Sequence, residues 1–133
     1  MRLLKALAAT LLLSAPALAQ DRVQVQFAPG DYGVTVSNVI IGDAYIDYML
    51  GARAGQKMFV ELTVDDSNGH GTVYFNILPP GSTGEAIYVG SRDGNSTTVT
   101  LPADGDYAIR VYQMGNDADT GKTSGFHIDL SIQ

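Results

Sequence analysis

The chain carries two histidines, no cysteine and fourteen acidic side chains, and these groups bound the chemistry open to it. Nucleophilic catalysis needs a base, usually His, within reach of the nucleophile and oriented by a third group. His127 alternates with apolar residues, as on the solvent side of a strand. His70 lies in a turn-forming run, Asp65-Asp66-Ser67-Asn68-Gly69-His70-Gly71. No Gly-x-Ser-x-Gly elbow is present, and thiol chemistry is impossible. Zinc takes clustered His and Cys at fixed spacing, which two isolated His do not supply. No glycine-rich run leads into a helix with a Lys, so no phosphate cradle is encoded. A two-carboxylate glycosidase needs its acids facing across a cleft, and a small closed sandwich rarely has one. The residue types point away from an enzyme and towards a binding surface.

Calcium is the cation that suits the loops best, because hard ions take carboxylate and carbonyl oxygens. Asp65-Asp66-Ser67-Asn68-Gly69 and Asn116-Asp117-Ala118-Asp119-Thr120-Gly121 each offer such oxygens near a Gly. Neither closes with a bidentate acid at a recognised spacing. The same composition arises in tight turns from local hydrogen bonding and positive φ. The expectation is no metal and no cofactor, with calcium at one acidic loop as the competing reading.

One candidate surface is Asp43-Ala44-Tyr45-Ile46-Asp47-Tyr48. In a strand, Tyr45 and Asp47 share one face while Ile46 and Tyr48 share the other. That predicts one Tyr in the core and one exposed. An exposed Tyr anchors a partner well, since it offers much area with little flexibility to freeze. The competing reading packs both rings on sheet faces.

The elements that must hold such a surface show a period of two. Phe126, Ile128, Leu130 and Ile132 alternate with His127, Asp129 and Ser131. Met58, Val60, Leu62 and Val64 share a face, as do Val73, Phe75 and Ile77, and Tyr107, Ile109 and Val111. Shorter strands are expected over 23–27, 34–41, 44–50, 86–89 and 97–101. Turn residues separate them, among them Pro29-Gly30, Gly42-Asp43, Pro79-Pro80-Gly81 and Asp93-Gly94-Asn95. No window carries a 3.6-residue apolar stripe of helical length. The pattern predicts an all-β fold, a single antiparallel β-sandwich of eight or nine short strands. A membrane barrel also alternates, but its strands run to about 9–11 residues with aromatic girdles. Here the strands are shorter, Trp is absent and the chain ends Ser131-Ile132-Gln133.

Two local features complete the reading. Leu101-Pro102-Ala103-Asp104-Gly105-Asp106-Tyr107 is a tight turn into a strand that opens on Tyr. There the hydroxyl can bond back across the corner while the ring enters the core. The polar, Gly-containing stretch 116–125 is the nearest to a flexible segment.

Residues 1–19 read as a secretory signal. Arg2 and Lys5 precede an apolar stretch, and Ala17-Leu18-Ala19 is a small-x-small cleavage site before Gln20. The formal charge of the 133-residue chain is −6. Cleavage leaves six basic side chains against fourteen acidic ones, a charge of −8, on residues 20–133. That length predicts one domain. No later stretch reaches the roughly 18 apolar residues of a spanning helix, so no membrane anchor is expected. The acidity argues against nucleic acid, whose phosphates need a positive face. An exported domain without cysteine must be held by packing and backbone ladders rather than disulfides. The expected location is periplasmic or secreted.

Four blocks carry a resemblance. Ala54-Gly55-Gln56-Lys57 precedes a strand, and Leu101-Pro102-Ala103-Asp104-Gly105-Asp106-Tyr107-Ala108-Ile109-Arg110-Val111 follows, then Gln113 and Asn116-Asp117-Ala118. In order and spacing the chain resembles the periplasmic inhibitors of goose-type (g-type) lysozyme, over nearly all of residues 20–133. The Gly-Gln and Leu-Pro-x-x-Gly-x-Tyr pieces are also similar to bacterial pre-peptidase C-terminal domains. Those imply a structural or polysaccharide-binding module, the alternative reading, with calcium as a possible stabiliser. The inhibitor resemblance implies a β-sandwich that blocks a muramidase cleft with a surface loop and performs no reaction. The lysozymes it implies as partners are cationic, so an acidic chain would be steered to them. It assigns partner binding to Tyr45, Tyr48, Arg110, Asn116 and Asp117. In better-known members Arg flanks Asn-Asp-Ala on both sides and a Tyr stands near the start of the aromatic stretch. This chain has Gly115, Asp119 and Asp43 at those places.

Overall fold

Alternation decides the long strands. In the computed structural model, which describes residues 20–133, Phe126, Ile128, Leu130 and Ile132 are buried and the residues between them are half-exposed. The leader expected over 1–19 lies outside the described residues. In chain order the elements are β1 (Gln20–Gln24), β2 (Gly33–Ile41), β3 (Tyr45–Ala52), β4 (Lys57–Ser67), β5 (Val73–Leu78) and β6 (Tyr88–Val89). There follow α1 (Gly90–Asp93), β7 (Ser96–Thr100), β8 (Gly105–Gln113), α2 (Gly115–Asp119) and β9 (Thr123–Ile132). Each helix is about one turn, too short to be stable alone.

The strands form two sheets, ordered β1-β3-β8-β5-β6 and β2-β9-β4-β7. Their inner faces meet in a core that includes Tyr48, Met58, Phe75, Tyr107, Ile109, Phe126 and Ile128, all fully buried. Burying a side chain of that size contributes about 1.5–3 kcal/mol. With no cysteine in the chain, this packing carries the stability.

One pairing departs from the antiparallel expectation. β1 runs parallel to β3, with Arg22 opposite Asp47. The reason is the path of the chain. It leaves β1 in one sheet, reverses into β2 in the other, and reverses again into β3, which therefore points the same way as β1. The other pairings are antiparallel. β4 also extends beyond its expected end, through a register shift between Val64 and Asp66. Such an inserted residue bends a strand. Asp65 there places Oδ1 2.8 Å from His127 Nδ1, on the outer face of the four-stranded sheet.

The Tyr corner forms as expected. The Tyr107 hydroxyl donates to the Ala103 carbonyl at 2.6 Å and accepts the Ala103 N–H at 3.1 Å, with the ring fully buried. The stretch 116–125, by contrast, is not a loose loop. Its first part lies in α2 and its last part in β9.

Candidate functional site

The outer face of the five-stranded sheet positions the first group of residues. Asp47 on β3 and Arg110 on β8 lie directly opposite in register. Arg110 Nε donates to Asp47 Oδ1 at 2.8 Å, and Nη2 donates to Oδ2 at 3.0 Å. This fork-to-fork geometry is the strongest form of such a pair. Arg110 Nη1 also approaches the Thr83 carbonyl at 3.4 Å. The Asp47 side chain is 2% exposed and that of Arg110 19%. The bond to Asp47 raises the guanidinium pKa above its ordinary value, against the opposing effect of burial. The Tyr45 ring lies over the guanidinium, 4.1 Å from carbon to centroid, a cation–π contact. A groove of about 320 Å³ runs beside them, bordered by Arg22, Met49, Ser82 and Asp106.

A stripe of tyrosines continues from there. Tyr45, Tyr112 and Tyr74 occupy successive register positions on β3, β8 and β5. All three are half-buried. The rings of Tyr74 and Tyr112 are 6.3 Å apart and tilted, and the Tyr112 hydroxyl donates to Asn76 Oδ1 at 2.8 Å. The stripe leads to α2 at the end of the sandwich.

α2 is held there by its one buried acid. The Asp117 side chain has no solvent exposure. Its Oδ1 and Oδ2 accept the His70 N–H at 3.0 and 3.1 Å, and Oδ2 also accepts the Thr72 N–H at 3.0 Å and the Thr72 hydroxyl at 2.7 Å. These donors hold the Asp117 carboxyl far below the usual carboxylate range. His70 Nδ1 lies 3.5 Å away, on an exposed ring. Gly69 makes the approach possible, because a Cβ there would collide with Asp117 Oδ1. A second buried network fixes the next turns. Gln113 Nε2 donates to the Lys122 carbonyl at 2.8 Å and approaches that of Gly42 at 3.3 Å. Ser124 Oγ bonds Gln113 Oε1 at 2.7 Å and Ser67 Oγ at 2.8 Å. The turn bearing Asp43 therefore packs against the α2–β9 connection, and Asp43, Asn116 and Asp119 are exposed around it.

The five residues expected to bind a partner divide in two. Tyr45, Arg110 and Asn116 reach the surface, Arg110 only at its edge. Tyr48 and Asp117 do not, since both are buried in the free protein. Tyr48 faces the core because it is one residue out of phase with Tyr45. Burial raises its phenol pKa, and Asn38 Nδ2 donates to its hydroxyl at 3.2 Å. Asp117 is drawn inward by three donors, the His70 N–H and the N–H and hydroxyl of Thr72. Tyr74 and Tyr112 line up with Tyr45 in register and are not among the residues the sequence singles out, whereas Asp47 falls within the candidate run Asp43 to Tyr48. The alternation in 107–112 already set Tyr112 on the outward side, but only the pairing of β8 with β3 and β5 reveals its neighbours. Among the described residues no group of three or more His, Asp or Glu is placed to hold a metal ion.

Fold and site together define a β-sandwich that presents an aromatic and charged surface. Comparison with known proteins then places it. No protein-family model matches the chain. An inhibitor of g-type lysozyme from Escherichia coli (strain K12) is 32% identical over 123 residues, 92% of this chain and 90% of that protein. The crystal structure of Aeromonas hydrophila PliG, a periplasmic lysozyme inhibitor of g-type lysozyme, aligns with a TM-score of 0.76 at 34% identity. That alignment covers 86% of this chain and 97% of PliG. The chain belongs to the family of g-type lysozyme inhibitors. The pre-peptidase C-terminal domain of a Bacillus anthracis collagenase aligns at TM-score 0.54 and 15% identity, over 86% of this chain and 94% of that domain, a likeness of fold alone.

Proposed function

We propose that this protein is a periplasmic inhibitor that binds a g-type lysozyme and blocks its substrate cleft without performing a reaction. The observation that carries the reading is the 32% identity, over nearly the full length of both chains, to a protein named for that inhibition. The geometry supplies a means. α2 stands at the end of the sandwich, backed by the Asp117 clamp, with the tyrosine stripe beside it. A surface fixed before binding loses little conformational freedom on association. Tyr45 and Asn116 offer direct contacts, Arg110 holds Tyr45 in place from below, and Tyr48 and Asp117 secure the strand and the helix that carry them. After removal of residues 1–19 on export, a charge of −8 steers the protein towards a cationic enzyme.

The test is a titration of residues 20–133 into a g-type lysozyme degrading bacterial cell walls. Lysis should fall towards zero near equimolar addition, and the association rate should drop as salt is raised. Unchanged lysis at large molar excess would refute the reading. Retention of the protein on cell-wall polysaccharide with no effect on lysozyme would favour a polymer-binding module instead.

A further inference from the structure

Exposed large apolar side chains are few among the described residues: Tyr32, Val39, Ile41, Ile87 and Met114. Met114 immediately precedes α2. It is 44% exposed and lies with Tyr74, Thr72, Ser91, His70 and Asn116 around a hollow of about 310 Å³. The backbone beneath it is immobilised. The Met114 N–H donates to the Thr72 carbonyl at 3.1 Å, the Thr72 hydroxyl approaches the Met114 carbonyl at 2.9 Å, and Thr72 is bound in turn to Asp117. A fixed main chain thus carries a flexible, polarizable side chain at the surface, beside the aromatic rings of the stripe. Methionine in such a setting adapts its shape to what covers it. The formal charge nearest the hollow is Asp117, whose carboxylate is already occupied by its donors.

We propose that Met114 and Tyr74 form the apolar anchor of the lysozyme interface, receiving one uncharged apolar or aromatic side chain from the rim of the enzyme's cleft. The inference rests on the lysozyme reading and deepens it. The hollow is continuous with the α2 surface and the tyrosine stripe, so an enzyme seated on either covers it. Large side chains in well-packed central pockets dominate binding energies, while the contacts around them chiefly exclude water.

The experiment measures the affinity of residues 20–133 and three variants for a g-type lysozyme by calorimetry, with thermal melts alongside. Met114→Ala should bind at least tenfold more weakly with an unchanged melt, since the side chain is exposed. Met114→Leu should retain most of the affinity, and Met114→Glu should lose it. Unchanged affinity of Met114→Ala, in a parent chain that does inhibit, would overturn the anchor and leave the lysozyme reading standing. Tighter binding by Met114→Glu would show that the occupant is a cation and overturn the apolar assignment. Absence of binding by the parent chain would overturn both.

Discussion

Arg110 and Asp47 face each other across β8 and β3 with two hydrogen bonds of 2.8 and 3.0 Å, and the acid is almost wholly buried. The pair sits under Tyr45 rather than at the open surface. Replacing the base alone strands a buried charge, which typically destabilises by about 3–5 kcal/mol. Arg110→Ala should therefore lower the denaturant midpoint strongly. Arg110→Met combined with Asp47→Leu should recover most of that loss, because removing both charges removes the unpaired one. A double variant as unstable as the single one would contradict the assignment.

Asp117 makes stability depend on acid. Its folded-state pKa is depressed, so its contribution is complete above the ordinary carboxylate pKa of about 4 and is lost as pH falls below it. Thermal melts from pH 6 down to pH 2 should show the parent chain weakening over that interval. In Asp117→Asn the amide group must face N–H donors, so the variant should melt lower at pH 6. The gap between variant and parent should narrow towards pH 2. Parallel pH profiles would show that Asp117 is not the clamp.

Gly69 tests the same clamp from the other side. A methyl group there overlaps the Asp117 carboxylate and also meets the Lys122 side chain. Overpacking of this kind costs about 1–3 kcal/mol. Gly69→Ala should release α2, seen as faster hydrogen exchange of the Thr120 amide, which bonds the Asn116 carbonyl at 2.9 Å. It should weaken lysozyme inhibition as well.

The charges around Asn116 set a further expectation. Related inhibitors, on the sequence resemblance, carry Arg where this chain has Gly115 and Asp119. Asp119 is exposed, so Asp119→Arg should strengthen inhibition of a lysozyme with a carboxylate-lined cleft without altering the melt. Gly115 differs, because its φ of +62° lies in the left-handed region. Gly115→Arg should lower stability by about 1–2 kcal/mol. Inhibition constants indifferent to Asp119→Arg would place α2 outside the cleft.

Much of the sandwich was legible because burial and side-chain alternation share a period. Phe126 to Ile132 and Tyr107 to Val111 needed no partner to announce which side was inward. The parallel pairing of β1 was not legible, since it follows from the order in which the chain visits two sheets. The Tyr107 corner could be read from a local run. The Asp47–Arg110 pair could not, because 63 residues separate its members and only register joins them. Asp117 looked like a loop acid free for a partner or for calcium. What the sequence concealed was the set of amide donors from 70–72, which a turn presents only after β4 and β5 are placed.

The most direct test of where the enzyme sits is hydroxyl-radical footprinting of the inhibitor alone and in complex with a g-type lysozyme. Oxidation of Tyr45, Tyr74 and Tyr112 should fall in the complex. Tyr32, exposed at the far end of the sandwich next to β2, should be unaffected. Protection of Tyr32 with the other three unchanged would put the enzyme on another surface and contradict the proposed site.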